Sequence, residues 1–194
     1  MTAVSPSTGQ DTRLAFEQAA LPHMAALHRT ARRLARQPED AADLLQETFL
    51  RAFRTFGNFR PGSNARAWLF TILHSVFVNR YHRAQLEPEA VDPGDLDARF
   101  AAVVSPPHDA VVEAMRNAMP PEIDAALRTL PEAFREVVLL VDVEELTYEE
   151  AALAVGCPVG TLRSRLFRGR KALVVALADY ARRQGFATGR EGTP

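Results

Sequence analysis

The stretch Leu146–Leu173, LTYEEAALAVGCPVGTLRSRLFRGRKAL, decides how the C-terminal part of the chain folds. Thr147 and Glu150 stand three apart in T-Y-E-E, the capping-box spacing in which each side chain satisfies a backbone N–H left over at a helix start. The helix so begun runs about two turns to Gly156, a residue suited to the left-handed conformation just past a helix end. Pro158 is expected to open the second helix, where a missing N–H costs nothing. With Leu162 at 0° and about 100° per residue, Leu166, Gly169, Leu173 and Leu177 fall on one side. Arg163, Ser164, Phe167, Arg168 and Lys171 fall opposite, on a basic face that also carries a phenylalanine. Such a face suits a DNA major groove, with arginines for guanine edges or phosphates and Phe167 for a thymine methyl. The alternative is a solvated basic helix whose Phe167 touches a neighbouring helix.

Charge along the chain agrees with a nucleic-acid partner, although the net charge of -1 conceals it. Residues 1–85 hold 11 Arg against 6 acids (+5), residues 86–153 hold 4 Arg against 16 acids (-12), and residues 154–194 hold 8 basic residues against 2 acids (+6). Two basic ends joined by an acidic middle read as two nucleic-acid contacts with a spacer. The spacer could also mimic nucleic acid or fold back on the basic parts. The 194 residues suffice for two small domains. No run approaches the ~18 apolar residues of a membrane helix, and MTAVSPSTGQD has neither the basic start nor the apolar core of a signal peptide. A single cysteine, Cys157, excludes an intrachain disulfide and fits a reducing cytoplasm, with Cys157 read as a small turn residue.

The composition and the absence of strand-like alternation predict an all-α chain. Its expected parts are a flexible tail (1–11), an N-terminal helical bundle (12–85) with helices over 14–36, 40–56 and 65–84, and an acidic Pro-rich linker (86–121) with a helical piece around Ala110 to Met119. A C-terminal helix-turn-helix four-helix domain (122–183) with helices over 123–129 and 131–145 before the capped pair, and a second tail (184–194), complete the map. In 40–56, with Leu45 at 0°, Phe49, Ala52, Phe53 and Phe56 form the inward stripe. Asp43, Gln46, Glu47, Arg51 and Arg54 lie opposite, with Leu50 among them. That leucine reads equally as incidental or as the apolar anchor of a docking face. The next helix turns Leu69, Ile72, Leu73, Val76 and Phe77 inward, and Arg66, Asn79, Arg80, His82 and Arg83 outward. Its basic end, after the loop Gly57 to Asn64 and beside aromatics, suits single-stranded nucleic acid. The alternative is that Trp68, Phe70 and Tyr81 are ordinary core, and for Trp68 core is the favoured reading.

Three motifs, D-x-A-D-L-L-Q-E-T-F-L-R-A-F at 40–53, F-R-P-G-S-N-A-R-A-W-L-F-T-I-L at 59–73 and G-C-P-V-G-T-L-R-S-R-L-F-R-G-R at 156–170, together resemble the bacterial extracytoplasmic-function (ECF) sigma factors of the sigma-70 family. The resemblance spans about 14–84 and 122–182. It implies docking of Asp43, Gln46, Glu47, Leu50 and Arg51 on the clamp of the largest subunit of RNA polymerase, with a second contact to the flap of the second-largest. It implies capture of the melted non-template −10 strand by the loop, involving Asn58, Phe59, Arg60, Ser63, Asn64 and Arg66, with Asn79, Arg80 and Arg83 on the nearby backbone. Thr161, Arg163, Ser164, Phe167, Arg168 and Lys171 would read the −35 element. Where many relatives carry Asn, this chain has Ser75, with fewer hydrogen-bonding groups. A-D-Y-A-R-R-Q-G-F and V-N-R-Y-H-R further resemble the branch held by zinc-binding, thiol-sensing anti-sigma proteins. The resemblance implies a cytoplasmic protein, an anti-sigma partner and promoter DNA.

No constellation for bond chemistry is legible: no nucleophile with a base, no phosphate-binding Gly-rich loop, and only His23 and His28 as an unsupported pair, so no enzyme activity, metal or cofactor is expected. A plain repressor would account for the C-terminal motif but not for D-L-L-Q-E with W-L-F-T-I-L, and would normally dimerise. A sigma mimic that only sequesters an anti-sigma protein would not need the basic face of Arg163, Arg168 and Lys171.

Overall fold

A computed structural model describes residues 9–35, 37–85 and 119–185, in which every regular element is helical. The chain divides into two compact units, one drawn from the described residues up to 85 and the other from 119 onward.

In the first unit, α1 (Gly9–Ala20) leads through a 3-10 turn (Leu21–His23) into α2 (Met24–Leu34). The single helix expected over 14–36 is therefore two. Pro22 has no N–H for the helical ladder and biases Leu21 away from the helical region. The helix also begins at Gly9, inside the stretch expected to be a tail; residues 1–8 lie outside the described ones. α3 (Pro38–Thr55) starts on a proline at its first turn, where Glu39 and Asp40 complement the helix dipole. A 3-10 turn (Phe56–Asn58) and a loop then lead to α4 (Ala65–Gln85). α3 packs against both α2 and α4, and α1 lies on α4. Phe16, Leu27, Leu44, Phe49, Leu69, Phe70 and Leu73 fill the core between them.

The buried arc of α3 differs from the single-stripe expectation. Ala41, Leu44, Thr48 and Ala52 form its centre, Leu45 is half-buried, and Phe53 is 38% exposed. Leu50, expected on the polar face, is buried. With partners on two sides, α3 hides an arc wider than one stripe, and that arc takes in Leu50.

In the second unit, α5 (Pro121–Thr129) and α6 (Glu132–Val138) precede a π turn (Leu139–Val143). The helix expected over 131–145 ends there, and Glu145 takes φ 53° at the corner. α7 (Tyr148–Val155) carries the capping box: the Glu150 N–H donates to Thr147 Oγ1 (3.2 Å) and the Thr147 N–H to Glu150 Oε2 (2.9 Å). Gly156 caps its end at φ 65°. Pro158 sits one position before the helix it was expected to open, as the N-cap of α8 (Val159–Ala176). α9 (Ala178–Arg183) follows. The linker 86–118, the tail beyond Gly185 and the helical piece expected around Ala110 to Met119, except Met119, lie outside the described residues. Among those that are described, no helix is long and apolar enough to cross a membrane.

α8 is the hub of this unit, packing on α5, α6 and α7. Leu162 and Leu166 are buried, and Gly169 admits α6 so closely that an added Cβ would stand 2.8 Å from Val138 Cγ2 and 3.3 Å from the Phe134 carbonyl oxygen. Gly169→Val should therefore destabilise the second unit by about 1–3 kcal/mol through overpacking, read from denaturant unfolding; an unchanged midpoint would mean that α6 can yield. Thr147→Ala should cost about 1 kcal/mol by removing the cap, checked in the same assay.

Candidate nucleic-acid interface

The packing of α8 turns the opposite side of the helix outward. Thr161, Arg163, Ser164, Phe167, Arg168 and Lys171 are all exposed, Phe167 at 69%. Phe167 has therefore not been absorbed by a neighbouring helix of its unit. Arg163, Arg168 and Lys171 put three positive charges on this face, and Val159–Ala176 contains no acid, so the face carries a positive field. The Ser164 hydroxyl donates to the Gly160 carbonyl (3.0 Å), a bond within the helix that another acceptor can replace.

Three arginines of α8 differ in their ties. Arg168 lies exposed on the outer face. Arg170 is gripped by Asp142 of the π turn through two hydrogen bonds, Nε to Oδ2 (3.1 Å) and Nη2 to Oδ1 (2.6 Å). That hydrogen bonding raises the Arg170 pKa further above its ordinary value. Arg163 lies over the Tyr148 ring, 5.4 Å from its centroid. Neither Tyr148 nor the Asp142–Arg170 pair stood out in the sequence. T-Y-E-E marks Tyr148 only as a first-turn residue, and Asp142 lies 28 positions from Arg170.

In the first unit, the loop before α4 is anchored at both ends. Asn64 Oδ1 accepts from the Ala67 N–H (3.2 Å), capping α4 with the side chain expected to face DNA. The Ser63 hydroxyl and N–H both donate to the Arg60 carbonyl (2.7 and 3.1 Å), and Gly62 turns the chain at φ 85°. Asn58, Arg60, Ser63 and Asn64 are exposed. Behind them Phe59 stacks on Phe56 (5.5 Å, 11°) and tilts against Trp68 (4.9 Å). Phe56 in turn meets the buried Phe16 edge-on (5.3 Å). Phe59 and Trp68 are half-buried, whereas Phe70 is core, with the Arg66 guanidinium 5.9 Å from its centroid. His23 is pushed below its ordinary pKa by burial and then by Arg66, so it is neutral near pH 7.

The faces expected to serve DNA and polymerase are joined. Arg80 of α4 donates to Asp43 Oδ2 (2.9 Å) and to the Asp40 carbonyl (3.3 Å) of α3. Arg51 of α3 donates to Ser75 Oγ of α4 (3.1 Å) and pairs with Glu47 at 3.7 Å. Asp43 and Gln46 are exposed, Glu47 and Arg51 are half-buried, and Leu50 is withdrawn into the core. Asn79 is exposed on α4; the side chains of Tyr81, His82 and Arg83 lie outside the described ones.

Comparison with known proteins accounts for both units. Residues 21–87 match the model of sigma-70 region 2, and residues 121–173 that of sigma-70 region 4. The chain is 36% identical over 185 residues to the ECF RNA polymerase sigma factor SigE of Mycolicibacterium smegmatis, covering 93% of this chain and 68% of that protein. It is 40% identical over 139 residues to the ECF RNA polymerase sigma factor EcfG of Rhodopseudomonas palustris, 71% of each. Among solved structures it is similar to the sigma factor RpoE of Bartonella quintana in complex with the anti-sigma factor NepR, with a TM-score of 0.63 and 28% identity over 84% of this chain and 97% of that one. Two regions matched in their order, on two all-helical units, mean that this chain belongs to the extracytoplasmic-function sigma factors of the sigma-70 family, which direct RNA polymerase to specific promoters.

Proposed function

We propose that α8 reads the −35 element as duplex through Thr161, Arg163, Ser164, Phe167, Arg168 and Lys171. The loop 57–64, with Arg66 and the α4 residues Asn79, Arg80 and Arg83, captures the melted −10 strand. Asp43, Gln46, Glu47 and Arg51 dock on the polymerase clamp, while the second unit meets the flap. The observation that carries this reading is the outward basic face of α8 with its unburied Phe167. Each contact by itself is weak and salt-sensitive. Docking on polymerase ties the two units to one scaffold, so the second DNA contact becomes intramolecular. Unpairing the −10 segment costs stacking energy, which bases held at the Phe59–Trp68 loop offset in part. The protein acts by binding, in the cytoplasm, with no bond chemistry of its own.

An anti-sigma protein holds the chain inactive until a stress signal arrives. Two features support this: RpoE of Bartonella quintana was solved with one bound, and Leu153, Val174 and Val175 are each more than 70% exposed on the second unit.

Transcription in vitro from pooled genomic fragments, with bacterial core polymerase and with or without this protein, tests the function. New start sites sharing two motifs support it; no binding to core and no new starts would sink it. On a promoter so found, Arg168→Ala should cost roughly 1–3 kcal/mol and relax −35 selectivity, whereas Lys171→Ala should weaken all sequences alike and lower the salt slope by about one. Unaltered selectivity in Arg168→Ala would remove that arginine from the reading face. Glu47→Lys should reduce affinity for core, measured by fluorescence anisotropy, without changing the melting temperature. Undiminished affinity would take this face out of the interface.

A further inference from the structure

Tyr148 belongs to none of the surfaces assigned above. It is the first residue of α7, immediately after the N-cap Thr147, and the capping box fixes the backbone that carries it. Its half-buried ring lies under the Arg163 guanidinium of α8, 5.4 Å from centroid to Cζ. On the same helix Arg170, which Asp142 grips through two hydrogen bonds, also falls within the influence of the Tyr148 hydroxyl. The ring thus meets an exposed arginine of α8 from a backbone that the capping box fixes. A guanidinium stacks by its flat face and donates by its edge, so a ring beneath it leaves the paired N–H groups free for a guanine edge. Arg163 otherwise brings a long, freely rotating side chain to the groove, and ordering that chain weakens recognition.

We propose that Tyr148 is a positioning residue for −35 recognition: its ring holds the Arg163 guanidinium by the face and presents the donor edge to a base. The inference rests on the reading of α8 as the −35 helix.

The test uses the full chain in holoenzyme and the promoter found by transcription in vitro, with each −35 base pair varied in turn. Arg163→Ala marks the position that Arg163 reads by relaxing preference there. Tyr148→Leu should relax preference at that same position, roughly two- to fivefold, with an unchanged salt slope. Tyr148→Phe, which keeps the ring, should retain the preference. In an Arg163→Ala background Tyr148→Leu should add nothing. Preference intact in Tyr148→Leu would overturn the proposal, as would a loss spread evenly over all positions. An equal loss in Tyr148→Phe would also overturn it, since that outcome means that the hydroxyl, through Arg170 or a phosphate, and not the ring carries the effect. Melting temperatures of the two Tyr148 variants separate a folding defect from misplacement, because Tyr148→Phe keeps the packing. A silent Arg163→Ala would remove the assignment of Arg163 and the role of Tyr148 together, whereas a silent Tyr148→Leu beside an active Arg163→Ala removes only the latter.

Discussion

The second unit depends on the approach of α8 to α6 at Gly169. A helix can present a chosen face to a partner only if its opposite face is fixed, and α8 is fixed by Leu162, Leu166 and a glycine that leaves no room for a Cβ between it and Val138. Larger residues at 169 would push the helices apart or rotate α8, and every exposed residue from Thr161 to Lys171 would turn with it. The Arg170–Asp142 pair adds a second restraint. Exposed ion pairs contribute little to stability, but a bidentate grip is directional, so its main effect is on the orientation of the helix.

The first unit distributes its constraint differently. An aromatic chain runs from the buried Phe16 through Phe56 to Phe59 and Trp68, so the loop proposed to meet the melted strand rests on the core rather than projecting freely. Edge-to-face and stacked rings have preferred geometries, and such support gives a loop of turn formers a defined shape. Arg80–Asp43 and Arg51–Ser75 stitch α3 to α4 across the surfaces proposed for polymerase and for DNA. Engagement of either partner with these side chains must exchange bonds that the unit already makes. At the position where many relatives carry Asn, the Ser75 hydroxyl already accepts a hydrogen bond from Arg51.

Much of the fold was legible where the physics is local. The capping box, the left-handed Gly156 and the inward Leu162 and Leu166 of α8 depend on spacings of a few residues, and each stands where the spacing put it, whereas Leu173 and Leu177 are only half-buried. Pro22 is as visible as any of these, but a periodic pattern running across it masked the break between α1 and α2. The burial of Leu50 was hidden for another reason. A wheel drawn for one stripe cannot know that α3 packs against two helices.

The sequence by itself determined that the chain is helical, that its C-terminal part is a helix-turn-helix with a basic outer face, and that three motifs fit one family. The first two follow from hydrogen-bonding and periodicity over short separations, which each segment satisfies alone; the third is a resemblance carried by the motifs themselves. Only the tertiary structure decided which arginine is free and which is held: Arg170 by Asp142, Arg163 over Tyr148, Arg80 by Asp43 and Arg51 by Ser75. Those pairings join residues 15 to 37 positions apart, brought together by the burial of apolar faces elsewhere, and nothing in the local pattern of charges specifies them.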